Sequence, residues 1–341
     1  MIKEAIAKAV EKINLSPEET EGVMEEIMSG AVSPAQIGSF ITALRMKGES
    51  IDEITAFAKV MRKYATRVHV KQNNLLDTCG TGGDGKHTFN ISTIAALVAA
   101  GAGVVIAKHG NRSISSRCGS ADLLKGLGVN IEAPLPVVER CINDVGIGFL
   151  FAPMLHPAMK FAAVPRREIG IRTIFNILGP LTNPAGASCQ LLGVYDASLT
   201  KVMAEVLKNL GSIHAMIVHG SDGLDEVTTT SDTIVSELSG DKLINYRIKP
   251  EDFGMKRASA QDLDGGDPVV NANIAMEILN GKNGPRRDVV LLNAGCAIYV
   301  AHKARDIREG VELARKSIDS KEALRRLELL KEYTNAVYSE Q

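Results

Sequence analysis

Along the first seventy residues, apolar positions recur at helical spacing, and three serines punctuate them at regular intervals. Ile2, Ala5, Ile6, Ala9, Val10 and Ile13 fall on one helical face, with the charges opposite. Ser16-Pro17-Glu18-Glu19, Ser33-Pro34-Ala35-Gln36 and Ser50-Ile51-Asp52-Glu53 each read as a capping box, and the first two carry proline at the first helical position. Gly30 and Gly48 stand where two of those helices should stop. No strand pattern precedes Asn74, so residues 1–71 read as an all-helical unit.

The period then changes. Short apolar runs at 75–77, 104–108, 147–152, 190–195 and 214–219 alternate with amphipathic segments such as 120–126 and 199–210. Strands alternating with helices predict an α/β fold, a larger domain over 72–341 with a central, mostly parallel sheet flanked by helices. The stretch 288–300 is ambiguous by period. Its length and its Ala/Gly content favour helix. There is no internal repeat and no low-complexity segment.

At 341 residues the chain is long enough for one large domain or two ordinary ones, and 45% apolar with 23% charged residues is ordinary globular usage. A net charge of −1 gives no electrostatic footprint for nucleic acid or an acidic membrane. Five scattered cysteines without a CxxC pair argue against a disulfide framework or a zinc site and point to a reducing cytoplasm. The N-terminus lacks the apolar core of a signal peptide. The longest apolar stretch, 91–107, is broken by Ser92, Thr93, Gly101 and Gly103, and reads as a buried helix and a strand, not a membrane span.

Candidate chemistry gathers at four places. In LDTCGTGGDGKHTFNIST (76–93), a strand runs into a turn holding Gly80, Gly82, Gly83 and Gly85, then into a helix opening near Asn90. Amides of such a turn form an anion nest, and the helix N-terminus adds its partial positive charge. Thr88, Asn90, Ser92 and Thr93 add short donors there. A turn needing φ > 0 explains one or two glycines, not four beside a hydroxyl cluster. The pattern is not GxxxxGK[ST].

KHGNRSISS (108–116) follows the second strand and brings Lys108 and Arg112 to the same sheet edge, with Ser113, Ser115 and Ser116 as donors. Alone it reads as a solvated charged loop; beside the first loop it reads as a second phosphate clamp. In VHGSDGLDEVTTT, Asp225 and Glu226 stand side by side, where hard oxygen ligands suit Mg²⁺ shared with phosphate oxygens. Solvation of a loop would also explain them. In HPAMKFAAVPRREIGIRTIFNILGPLTNP (156–184), Arg166 and Arg167 precede a helical run, and a guanidinium suits a carboxylate. For Arg167 and Arg172, a basic helix face pairing with surface Asp or Glu is the simpler expectation.

Taken together, GTGGDGKHTFNIST, KHGNRSISSRCGSADLLKGLG, HPAMK…PRREIGIRTIFNILGPLTNP, HGSDGLDEVT and PEDFGM closely resemble the anthranilate phosphoribosyltransferase family, nearly end to end and in consistent order. The resemblance implies a helical domain completed in space by helices around 155–180, joined to the α/β domain, and a homodimer through the helical domain. It implies transfer of ribose 5-phosphate from phosphoribosyl pyrophosphate (PRPP) to the amino group of anthranilate, with two Mg²⁺ ions per subunit. It casts Gly80, Gly83, Asp84, Thr88, Asn90, Ser92, Thr93, Lys108, Ser116 and Ser120 as PRPP-binding, with Lys108 and Asp84 catalytic. Ser92, Asp225 and Glu226 would hold magnesium. Gly80, His109, Asn111, His156, Arg166 and Gly179 would line the anthranilate path. One departure is Arg117-Cys118, where the family more often has lysine and a small residue, which bears on fine loop geometry. Two rivals share the fold. A pyrimidine nucleoside phosphorylase would need neither Arg166 nor the acidic pair, and a nucleic-acid-binding relative would want a basic surface.

Overall fold

The computed structural model describes residues 1–72, 74–113 and 117–336. Four helices open the chain: α1 (Ile2–Val10), α2 (Pro17–Met28), α3 (Pro34–Lys47) and α4 (Ile51–Tyr64). The three capping boxes close as read. The hydroxyls of Ser16, Ser33 and Ser50 accept from the backbone N–H of Glu19, Gln36 and Glu53, whose side chains return to the cap amides. The reading of α1 needs correction at its end. Ile2, Ala5 and Ala9 are buried, but the helix stops at Val10, and Val10 and Ile13 stay 63% and 52% exposed.

A single sheet follows, built from β1 (Leu76–Gly80), β2 (Ile106–Gly110), β3 (Ile147–Phe151), β4 (Cys189–Gly193), β5 (His214–Gly220), β6 (Thr233–Ser239) and β7 (Lys242–Ile248). Its order is β3-β2-β1-β4-β5-β6-β7, parallel through β5 and antiparallel for the last two strands. The β6–β7 hairpin was not anticipated, although Gly240-Asp241 between two alternating runs is a hairpin signal. Between the strands lie α5 (Ile91–Gly101), α6 (Ser120–Gly126), α7 (Leu135–Arg140), α8 (Ala152–Leu155), α9 (Lys160–Ile169), α10 (Phe175–Leu178) and α11 (Leu199–Asn209). The chain ends in α12 (Pro268–Leu279), α13 (Pro285–Val300), α14 (Ile307–Asp319) and α15 (Glu322–Asn335). The ambiguous stretch at 288–300 is thus helical, within α13.

Each face of the sheet has its own apolar core. On one, α5, α13, α14 and α15 pack together around Ile94, Leu97, Leu291 and Ile298. On the other, Leu192, Val194, Ala215 and Ile217 share a core with Met203 of α11 and with Phe40 and Phe57 of the helical unit. The bundle is therefore built onto the sheet. From the middle of the chain, α9 packs on α3 and α2, and α10 on α4.

Strand order reverses between β1 and β4, which pair from Leu76↔Cys189 to Gly80↔Gly193. In open α/β sheets the crevice beyond the carboxyl ends at such a switch point is where ligands bind. Here β1, β2, β4 and β5 all end in glycine.

Candidate functional site

The glycine-rich turn leaves β1 at this switch point. Gly82, Gly83 and Gly85 have φ of +66°, +78° and +71°, which only glycine adopts cheaply, so its amides can fold inward as a nest. Thr81 ties the turn to β4: its N–H donates to the Gly193 carbonyl at 2.9 Å, and its hydroxyl accepts from Tyr195 N–H at 3.1 Å.

The acidic pair comes to the same place from the loop after β5. Gly82 N–H donates to Asp225 Oδ2 at 2.8 Å, and Ser92 N–H, in the first turn of α5, donates to Glu226 Oε1 at 3.1 Å. This close approach explains two glycines. A β-carbon on Gly80 would lie 2.6 Å from Asp225 Oδ2, and one on Gly193 would lie 1.6 Å from the Asp225 carbonyl oxygen. Burial, with Asp84 and Glu226 nearby, pushes the Asp225 carboxyl well above the usual range. Burial likewise raises Glu226 to about 7, against the pull of Lys108. Two carboxylates crowded in this way, beside the Ser92 hydroxyl, form an all-oxygen donor set that a hard divalent cation would relieve. No group of three or more His, Cys, Asp or Glu among the described residues could hold a metal alone. Mg²⁺ is usually held by one or two carboxylates together with substrate phosphates.

Lys108, 3% exposed, turns back beneath the turn and donates to the Thr78 carbonyl; burial lowers its pKa. Below it the fully buried Asp77 accepts from His109 N–H at 3.1 Å and from Asn183 Nδ2 at 2.8 Å, and burial raises its carboxyl to about 6. The same Asn183 amide donates to the Ala107 carbonyl at 2.8 Å, so one carboxylate joins β1, β2 and the GPLTNP loop. Neither Asp77 nor Asn183 was anticipated as part of the site, because nothing in their spacing marks them.

Beside the GPLTNP loop, His109 Nδ1 lies 3.2 Å from the Gly179 carbonyl, and its ring centroid is 5.0 Å from that of His156. Arg166 is half-buried, 5.1 Å from the Phe175 ring centroid, and forms no ion pair among the described residues. Desolvation by burial lowers its pKa. Arg166 and Arg167 occupy the last turn of α9 instead of preceding a helix, because α9 runs through Pro165. Among the described residues, neither Arg167 nor Arg172 pairs with a carboxylate, contrary to expectation. Arg172 lies 4.3 Å from the Tyr195 ring centroid and donates to the Gly83 carbonyl, bracing the glycine-rich turn.

The second loop is less direct a clamp than its sequence suggests. Arg112 leans away to Glu132 at 3.4 Å and over Phe151 at 5.7 Å. Asn111 Oδ1 accepts from Arg112 N–H, and Ser120 Oγ donates to the Asn111 carbonyl at 3.3 Å. Asn90 Nδ2 donates to the Cys118 carbonyl while its Oδ1 accepts from Asn271, so this side chain bridges the two loops. The Thr93 hydroxyl is buried without a partner among the described residues, and Asp84 Oδ1 accepts from Lys86 N–H at 3.1 Å. Thr88 bridges to Asp264. Ser115 and Ser116 lie outside the described residues.

Residues 3–65 match the family described as glycosyl transferase family, helical bundle domain, and residues 72–324 match its a/b domain. The anthranilate phosphoribosyltransferase of Acetivibrio thermocellus is 54% identical over 99% of this chain and 98% of its own length. The crystal structure of anthranilate phosphoribosyltransferase from Thermus thermophilus superposes with a TM-score of 0.93 at 46% identity, covering 97% of this chain and 99% of that one. The Saccharomyces cerevisiae enzyme in complex with PRPP and Mg gives 0.90 at 30% identity, covering 98% of each. On this agreement of sequence and fold, the chain belongs to the anthranilate phosphoribosyltransferase family of glycosyltransferases.

Proposed function

We propose that this chain transfers the 5-phosphoribosyl group of PRPP to the amino group of anthranilate, releasing pyrophosphate, as a step of tryptophan biosynthesis. The observation that carries the reading is the meeting of the amide-rich turn with the acidic pair, through Gly82 to Asp225 and Ser92 to Glu226. Such a site calls for an anion and a cation together, and a diphosphate with its metal supplies both.

In this reading Gly80, Gly83, Asp84, Thr88, Asn90, Ser92, Thr93, Lys108 and Ser120, with Ser116, hold PRPP. Ser92, Asp225 and Glu226 hold magnesium, two ions per subunit, which when bound neutralises charge on the departing pyrophosphate. Breaking the anomeric bond develops oxocarbenium character, as in glycoside hydrolysis. The turn amides and Lys108 stabilise the negative charge that grows on the leaving group. Anthranilate enters past Gly80, His109, Asn111, His156 and Gly179, and Arg166 takes its carboxylate. An aromatic amine is neutral at pH 7 and needs little activation, so positioning carries much of the rate.

The proposed assembly is a homodimer through the helical unit, supported by the exposed Val10, Ile13 and Met46. The near-neutral charge supports small-molecule substrates over nucleic acid, and no helix among the described residues is long and apolar enough to cross a membrane. We place the protein in the cytoplasm: its five cysteines are scattered along the chain without a CxxC pair and are buried, usage that suits a reducing compartment. The test is stoichiometry: with both substrates and Mg²⁺, pyrophosphate should appear mole for mole as anthranilate is consumed. Pyrophosphate formed at the same rate without anthranilate would contradict the reading.

A further inference from the structure

We propose that Arg286, far along the chain from every motif above, positions the phosphate loop; the inference rests on the PRPP reading of that loop. Arg286 is the second residue of α13, whose length is mostly buried in the core. Its Nε donates to the Asp262 carbonyl and its Nη2 to the Asp264 carbonyl, both at 3.1 Å. It makes no ion pair among the described residues. The planar guanidinium fork therefore serves two backbone oxygens, a geometry that lysine cannot reproduce.

The clamped segment is what the exit of the glycine-rich turn leans on. Phe89 N–H donates to the Leu263 carbonyl at 3.2 Å, Gly265 N–H donates to the His87 carbonyl at 3.0 Å, and Thr88 pairs with Asp264. The approach is backbone to backbone, since a β-carbon on Gly265 would lie 2.6 Å from Phe89 N. It also holds His87 at φ +54°, a conformation that a non-glycine residue keeps only when its surroundings enforce it. Immediately beyond come Thr88, Asn90 and Ser92. Arg286 thus links the buried α13 to the entrance of α5, and the phosphate donors are set before substrate arrives.

Two measurements on the full-length protein test this. In Arg286→Ala, without substrate, amide hydrogen exchange over residues 85–92 should quicken about tenfold while the core strands keep wild-type protection. Its KM for PRPP should rise about five- to twentyfold, with kcat and the anthranilate KM within about twofold of wild type. Arg286→Lys, offering a point donor, should recover only part of the loss. Unchanged exchange over 85–92 with an unchanged PRPP KM would overturn the proposal. So would an equal loss in both KM values and kcat with faster exchange throughout. A wild-type protein inactive with PRPP would instead defeat the functional reading, and the exchange measurement would still judge the clamp.

Discussion

The rings of His109 and His156 stand 5.0 Å apart, and each keeps a buried Nε2 without a hydrogen-bond partner among the described residues. Burial holds His109 at about 3 and His156 at about 4, so both are neutral at pH 7. A neutral pair can hydrogen-bond an amine but is far from the pKa that suits a general base near pH 7. His109→Ala and His156→Ala should each lower kcat/KM for anthranilate about tenfold to a few hundredfold, the worth of one or two hydrogen bonds. With Mg²⁺ and PRPP saturating, so that bound metal keeps Glu226 ionised, single-turnover rates should stay flat from about pH 6.5 to 8.5 in wild type and variants. A histidine-like pKa in the wild type, lost in either variant, would make that histidine the base.

The same burial predicts acid sensitivity. Unfolded histidine titrates near 6.5, so below that pH the unfolded chain binds a proton that native His156 refuses until about pH 4. Its contribution to stability is complete above 6.5 and lost as pH falls towards 4, by at most about 3 kcal/mol. His156→Asn should therefore show a shallower fall of Tm between pH 6.5 and 4.5 than wild type. Parallel curves would contradict this.

Arg166 and Arg172 should separate the two substrates. Arg166→Ala removes the one half-buried guanidinium assigned to the anthranilate carboxylate, a charge-assisted contact worth about 1.5–3 kcal/mol. The anthranilate KM should rise about tenfold to a hundredfold and the PRPP KM little. Arg172→Ala loses the bond to the Gly83 carbonyl and the stack on Tyr195, so it should raise the PRPP KM instead. An unchanged anthranilate KM in Arg166→Ala would remove that residue from the site.

Asp225 and Glu226 should act through metal. Asp225→Asn combined with Glu226→Gln should flatten the magnesium dependence of activity while the far-ultraviolet circular dichroism spectrum stays that of the wild type. Mg²⁺ with PRPP should raise Tm in the wild type, since a ligand that binds only the folded state stabilises it, and should not in the double variant. A wild-type magnesium response in the variant would return the pair to an ordinary loop.

Much of this was legible because local chemistry and global fold agree. Ser16, Ser33 and Ser50 announce their helices, and alternating apolar runs announce the parallel strands. The candidate site was legible where one short segment carries its own meaning, as in 76–93. It was not where function depends on distant chain meeting at one point. Gly193 looks like any strand-end glycine until Asp225 lies against it, and Asp77 like any acidic residue until Asn183 and His109 surround it. Arg172 looks like a surface cation because the Gly83 carbonyl is 89 positions away in sequence. The β6–β7 hairpin carried its signal in Gly240-Asp241, and the βα alternation before it masked the change of rule.

The central claim is the identity of the transferred group and its acceptor. The most direct measurement follows the fluorescence of anthranilate on addition of the protein with PRPP and Mg²⁺, in parallel with pyrimidine nucleoside plus phosphate. The account predicts loss of anthranilate fluorescence that requires both PRPP and active protein, with no phosphorolysis in the parallel reaction. Stable anthranilate fluorescence alongside phosphorolysis of the nucleoside would contradict it.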